Sequence, residues 1–255
     1  MSVAWKVRGT GAPIVFLHGV GGGAESFDGQ LAHFGKTRRA LAWDMPGYGA
    51  SAPVDQPGFD TWAAALAEGL DAIGVGPCVL VGHSIGGMIA QTFVARWPGR
   101  VSHLVLSATS PAFGNPDGDF QRDFIRARLG PLDEGHGMAD LAADFIPGLV
   151  GSHAAPEVVH AATATMARVT PDAYRAAMQA LVRFDARATL GDIAMPCLLI
   201  AGGDDRSAPP RVMERMAARI PGAQYACIDG MGHLGNLEQP AAFNALIDRF
   251  LSSAP

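Results

Sequence analysis

The stretch Val79-Leu80-Val81-Gly82-His83-Ser84-Ile85-Gly86-Gly87, followed by Met88-Ile89-Ala90-Gln91-Thr92-Phe93-Val94, decides how this chain reads. Three apolar residues lead into Gly-x-Ser-x-Gly, and the residues after it have the composition of a helix. A serine on a sharp strand-to-helix turn sits on strained backbone with its hydroxyl clear of the sheet edge. The glycines follow from that geometry, because strand and helix can close around the serine only where the flanking residues carry almost no side chain. The hydroxyl then stands at a helix N-terminus, where N–H groups and the helix dipole favour developing negative charge. In a chain with 32 glycines the bare pattern arises easily by chance, and the alternative for Ser84 is an ordinary small residue in a glycine turn. The strand before it and the helix after it make Ser84 a candidate nucleophile.

The 255 residues suffice for one large α/β domain carrying an insertion. With 49% hydrophobic and 17% charged residues, the composition suits a compact enzyme with large buried faces. A net charge of -5, not gathered in blocks, points to neither nucleic acid nor an anionic membrane surface as partner. Cys78, Cys197 and Cys227 are an odd, scattered set without C-x-x-C spacing. That argues against a disulfide framework and against zinc, so buried free thiols are expected, with no metal and no cofactor. Met1 to Gly9 lacks an apolar signal core, and no apolar stretch approaches the roughly 20 residues that span a bilayer. The expected location is the cytoplasm, and a homo-oligomer is left open.

Outward from Ser84, short apolar runs alternate with helical patterns. Ile14 to Leu17, Arg39 to Trp43, Val79 to Val81 and Leu104 to Leu106 read as buried parallel strands, the signature of a doubly wound sheet. Thr61 to Ile73 places Trp62, Ala65, Leu66, Gly69, Leu70 and Ile73 on one helix face, with Asp60 or Thr61 as its N-cap. The alternation returns with Cys197 to Ala201, a helix from Pro210 to Ile220, Gln224 to Ile228, and a last helix opened by Pro240. Residues 112–185 break the rhythm. Asp119 to Leu129, Met138 to Ile146, Pro156 to Val169 and Pro171 to Arg183 carry apolar residues at helical spacing, and Thr170-Pro171 reads as an N-cap with proline at the first helical position. The expected organisation is a core of residues 1–111 and 186–255 with a helical lid, 112–185, over the active face; the alternative is a purely structural or oligomer-forming insertion.

A serine hydroxyl needs a base within hydrogen-bond reach, itself oriented by a third group. His233 lies in Asp229-Gly230-Met231-Gly232-His233, just after the last predicted strand, and Asp205 lies in Gly202-Gly203-Asp204-Asp205-Arg206, just after the strand Cys197 to Ala201. All three therefore follow strand C-termini, the edge of an open α/β sheet where sites form. Asp205 is favoured over Asp204, which better suits a turn residue or helix cap. Donors for an oxyanion are expected from the backbone N–H of Ile85 and from Val20 in the Gly-rich run His18 to Gly23. That run opens neither a Walker-type nor a dinucleotide fingerprint, so no nucleotide site is expected. His83 is a candidate for the pocket wall although the turn directs it away from the hydroxyl. The remaining substrate pocket is expected from Phe113, Phe124, Phe145, Met166 and Met178, any of which can instead pack lid onto body.

With serine turn, His-Gly loop, acid and histidine in this order, the chain resembles the α/β-hydrolase fold family in its serine-nucleophile branch. Asp44-Met45-Pro46-Gly47-Tyr48-Gly49-Ala50-Ser51 is similar to that family's D-x-x-G-x-G-x-S loop beside the active site. Gly232-His233-Leu234-Gly235-Asn236-Leu237-Glu238-Gln239-Pro240 resembles the 3-oxoadipate enol-lactonase group. The resemblance implies a mostly parallel sheet with the lid inserted after the family's sixth strand. Because the chain starts at the strand Ala4 to Val7, about seven strands are expected rather than eight. It implies Ser-His-Asp acyl-enzyme hydrolysis of a small ester or lactone. A carbon-carbon bond hydrolase or perhydrolase would use the same triad, and a lid-switched ligand receptor would keep it without turnover.

Overall fold

The computed structural model describes residues 2–115 and 117–253. The first part alternates: β1 (Trp5–Arg8), β2 (Pro13–Leu17), α1 (Asp28–Phe34), β3 (Arg39–Trp43), α2 (Phe59–Ala72), β4 (Cys78–His83), α3 (Ile85–Arg96) and β5 (Val101–Ser107). Four helices then follow in succession, α4 (Asp119–Asp133), α5 (Met138–Phe145), α6 (Pro156–Met166) and α7 (Pro171–Leu181). The chain returns to alternation with β6 (Cys197–Gly202), α8 (Pro210–Ala217), β7 (Gln224–Ile228), the short α9 (Gly235–Glu238) and α10 (Pro240–Ser253).

The strands form one seven-stranded sheet in the order β1-β3-β2-β4-β5-β6-β7. Only β1 is antiparallel, with Trp5 opposite Trp43; the other pairs are parallel. Side chains alternate between two cores. Val15, Leu17, Leu80, Leu104, Leu106 and Leu199 face α2, α3 and α8, whereas Ile14, Phe16, Val79, Val81, Leu198 and Ile200 face α1 and α10. A strand covered on both faces has no polar side to show, which is why these strands read as unbroken apolar runs.

Three expectations need correction here. Helix α2 starts at Phe59 with Gly58 as its cap, not at Asp60 or Thr61. Thr61 lies inside the helix, and its hydroxyl faces the carbonyls of Gln56 and Gly58, to which it donates. Cys227 is exposed, while Cys78 and Cys197 are buried, because β7 is the sheet's edge strand. Helix α4 also runs past Leu129 and through Pro131. Thr170 does cap α7, accepting from the Ala173 N–H at 3.3 Å.

Both ends of the four-helix segment leave the sheet side by side. Ala112 and Asp185 pair in an antiparallel bridge, Phe113 N–H donates to the Phe184 carbonyl at 3.0 Å, and Ala186 N–H to that of Pro111 at 2.7 Å. Among the described residues no helix is long and apolar enough to cross a membrane.

Candidate active site

Ser84 is the single residue between the end of β4 and the start of α3, and its backbone is left-handed, at φ 54° and ψ -121°. The turn closes because its neighbours are bare. A Cβ on Gly86 would stand 2.3 Å from the Leu17 carbonyl oxygen, and one on Gly82 would stand 2.6 Å from that of Gly86. Two bonds from the end of β5 hold the strained residue: Ser84 N–H donates to the Ser107 carbonyl at 2.9 Å, and the Thr109 hydroxyl donates to the Ser84 carbonyl at 2.8 Å. Left-handed backbone at a non-glycine residue persists only where the surroundings over-determine it, and here they do.

His233 Nε2 lies 3.0 Å from Ser84 Oγ, and His233 Nδ1 lies 2.8 Å from Asp205 Oδ2. The other oxygen of Asp205 accepts the N–H groups of Ser207 at 2.7 Å and Ala208 at 2.9 Å. With both oxygens engaged the carboxylate cannot rotate, and it fixes the imidazole tautomer with hydrogen on Nδ1, which leaves Nε2 free to accept from Ser84. Burial pushes the Asp205 carboxyl up, yet His233 and the two N–H donors outweigh it and hold the group below the ordinary carboxylate range. Asp204 points elsewhere, accepting from the N–H and the hydroxyl of Ser152 at 2.8 and 2.6 Å.

The loop bearing His233 is clamped by Glu238, whose partner Gly151 lies too far along the chain for its sequence neighbourhood to reveal. Its Oε2 accepts from Gly151 and Gly232, and its Oε1 from Leu234, each at 2.8 Å. The His233 N–H donates to the Leu149 carbonyl at 2.7 Å. His83 lines the pocket and donates from Nε2 to the His233 carbonyl at 2.8 Å.

Val20 lines the cavity beside Ser84, and Ile85 follows Ser84 directly in the chain. Ile85 opens α3, so no carbonyl lies four residues back within the helix to take its N–H. Val20 sits in a turn closed by Gly22 N–H donating to the Gly19 carbonyl at 2.9 Å. His18 accepts the Met45 N–H at Nε2 and donates from Nδ1 to the same Gly19 oxygen at 2.8 Å. Anchoring the oxygen of the Gly19–Val20 peptide on the His18 side turns that peptide's N–H the opposite way. The D-x-x-G-x-G-x-S loop packs against this one, with Asp44 accepting from the N–H groups of Ala24 and Ala50.

A model of the alpha/beta hydrolase family matches residues 14–246. The chain belongs to the alpha/beta hydrolase family. It is 30% identical to a pimeloyl-(acyl-carrier protein) methyl ester esterase of Neisseria meningitidis serogroup B, over 93% of this chain and 92% of that protein. Among solved structures it is similar to a thermophilic esterase from Thermogutta terrifontis, with a TM-score of 0.90, 27% identity, and coverage of 98% of this chain and 93% of that one. It shares its fold with the enol-lactonase from Burkholderia xenovorans, at a TM-score of 0.87 and 23% identity, covering 98% of this chain and 96% of that one.

In this alpha/beta hydrolase Ser84 and His233 open onto a cavity of about 300 Å3 under the four helices. Phe113, Phe124, Phe145 and Met178 line it as expected, joined by Phe120 and Arg128. Met166 does not; it is wholly buried and packs its thioether against Gly21, beneath the Gly-rich loop. Helical periodicity shows that Met166 faces inward, but not which of two apolar neighbours it meets. Arg128 was missed, although it lies four residues after Phe124 on α4 and therefore on the same face. Burial pushes the thiols of Cys78 and Cys197 up to about 12, which leaves neither available as a competing nucleophile.

Proposed function

We propose that this chain is a cofactor-independent serine hydrolase of small carboxylic esters or lactones. The observation that carries the reading is the continuous relay from Asp205 through His233 to Ser84 Oγ, at 2.8 and 3.0 Å, opening on a mostly apolar cavity. Ser84 Oγ attacks the acyl carbon while His233 Nε2 takes its proton. The carbonyl oxygen becomes an oxyanion held by the N–H groups of Val20 and Ile85. His233 returns the proton to the departing alkoxide, and the alcohol leaves. Water then enters, gives a proton to His233 and attacks the acyl-enzyme. Collapse releases the acid, and Ser84 recovers its proton. Asp205 stays ionised throughout, facing the imidazolium.

Relatives named as ester-acting enzymes support ester over other acyl substrates. Two buried free thiols suit a cytoplasmic site of action.

The test is hydrolysis of p-nitrophenyl acetate and a panel of small lactones by wild type and Ser84→Ala, with fluorophosphonate labelling read by intact mass. Expected is one adduct on wild type, none on the variant, and turnover lower by about 10⁴-fold or more in the variant. Folded wild type that takes no label and turns over no ester would overturn the assignment.

A further inference from the structure

His233 sits in a loop with two glycines, Gly230 and Gly232, between the end of β7 and the start of α9. So little side chain leaves the backbone wide freedom, yet a base displaced by about 1 Å from its partner loses on the order of 10²-fold in rate. Part of what restrains this loop comes from the helical segment, from the connection between α5 and α6.

The His233 N–H donates to the Leu149 carbonyl at 2.7 Å, and the His153 N–H donates to that of Gly230 at 3.1 Å. Between these two bonds, the N–H groups of Gly151 and Gly232 share one acceptor, Oε2 of Glu238, each at 2.8 Å. The two backbones touch. A Cβ on Gly151 would stand 2.4 Å from the Gly230 carbonyl oxygen and 2.5 Å from the Gly232 nitrogen. One on Gly232 would stand 2.3 Å from the Gly151 nitrogen and 2.5 Å from the Leu149 carbonyl oxygen. Neither Gly151 nor Gly232 has left-handed backbone, unlike Gly230 at φ 65°. Their own conformation therefore does not demand glycine at either position; the close approach does. Gly148, three residues earlier, has nothing within 4 Å of its Cβ position.

Docking the insertion onto the body would need only buried side chains. Here the acceptor is offered to the N–H of the base itself, so moving the connection away leaves that N–H unpaired and removes one of the bonds that fix the backbone of His233. Ser152 extends the contact to Asp204, but that tie is exposed and contributes little. The Leu149 residue also lines the cavity, so one residue serves the wall and the base.

We infer that Leu149 and Gly151 are positioning residues for His233, so that the helical segment holds the base in line with Ser84 as well as covering the cavity. The effect on turnover rests on the serine-hydrolase reading, whereas the fixing of His233 is measured without substrate.

Gly151→Ala forces the two backbones apart, and Gly148→Ala is its control in the same connection. Both kcat and KM for p-nitrophenyl acetate are taken per active site, counted by the fluorophosphonate label at saturation, so that a misfolded fraction drops out. Expected for Gly151→Ala is a kcat lower by about 10–100-fold with KM within about threefold, while Gly148→Ala stays within about twofold of wild type in both. The NMR resonance of the His233 Nδ1 proton, read without substrate, should persist in wild type and Gly148→Ala and broaden or vanish in Gly151→Ala. Hydrogen exchange of the wild type needs no variant: the amides of Gly151, Gly232 and His233 should open as one unit, with protection matching within about tenfold. An unchanged kcat in Gly151→Ala, an effect carried by KM alone, or a Gly151 amide exchanging far faster than that of His233 overturns the inference. A wild type that turns over no ester, with the His233 resonance still lost in Gly151→Ala, would instead remove the hydrolase reading and leave the positioning in place.

Discussion

His83 donates from Nε2 to the main-chain carbonyl of His233 at 2.8 Å, with the two rings 5.1 Å apart, so the residue just ahead of Ser84 holds the backbone of the histidine that reaches Ser84. Burial, then the neighbouring His233, push the His83 imidazole down to about 3 from 6.5. The folded chain thus binds fewer protons than the unfolded one between those values. Stability from a neutral His83 is full above pH 6.5 and drains away as the pH falls toward 3. Urea denaturation at pH 7.5 and pH 5 should show wild type losing on the order of 1–2 kcal/mol more than His83→Gln; equal losses would remove His83 as the source.

Asp205 and Asp204 are neighbours with opposite assignments. Asp205→Asn should lower kcat by about 10³–10⁴-fold, since an amide at that position no longer fixes the tautomer or faces the imidazolium. Asp204→Asn, which touches Ser152 and not His233, should stay within about threefold. The folded Asp205 carboxyl titrates below its ordinary range, so its contribution to stability is present above the unfolded value and lost only as the pH falls through the folded one. Steady-state kinetics on the two variants separates them.

Glu238 is a positioning residue, because it touches the His233 loop and not the reacting atoms. Glu238→Ala strands three N–H groups and should cost about 3 kcal/mol, with kcat falling more than KM rises. Glu238→Gln keeps one acceptor oxygen and should recover part of both. A kcat unaffected in Glu238→Ala would mean that the loop holds its shape without the clamp.

The two glycines of the serine turn should not tolerate a methyl group. Gly82→Ala and Gly86→Ala press a Cβ into backbone atoms, and each is expected to cost about 3 kcal/mol or more in thermal or urea unfolding. Gly29 lies in α1 with nothing within 4 Å of its Cβ position. Gly29→Ala should instead stabilise by about 0.5–1 kcal/mol.

The parts legible in the sequence are those written locally. β4, Ser84 and α3 follow from an apolar run, two bare neighbours and a helical stretch, all within one window. Asp205 and His233 follow because each stands just beyond a strand, and strand ends in a parallel sheet meet at one edge. Contacts that cross between segments left no such trace. Glu238 reaches Gly151, 87 positions away, and nothing in either neighbourhood announces it. Arg128 reads as an ordinary solvated charge until tertiary packing sets it against the rings of Phe124 and Phe145. Met166 and the start of α2 failed for the same reason: an apolar face and a capping residue name a tendency, and the partner that decides it lies elsewhere in the chain.

The bridge at Ala112 and Asp185 makes the helical segment a cassette with both its leads at one point. Recombination or duplication can exchange such a piece without placing new chain ends in the core, since any replacement whose termini meet at strand-pair spacing closes the same junction. Arg128 and most of the aromatic wall belong to the cassette, while Ser84, Asp205 and His233 grow from the sheet. Selection can therefore rewrite the cavity wall while inheriting Ser84, Asp205 and His233 unaltered.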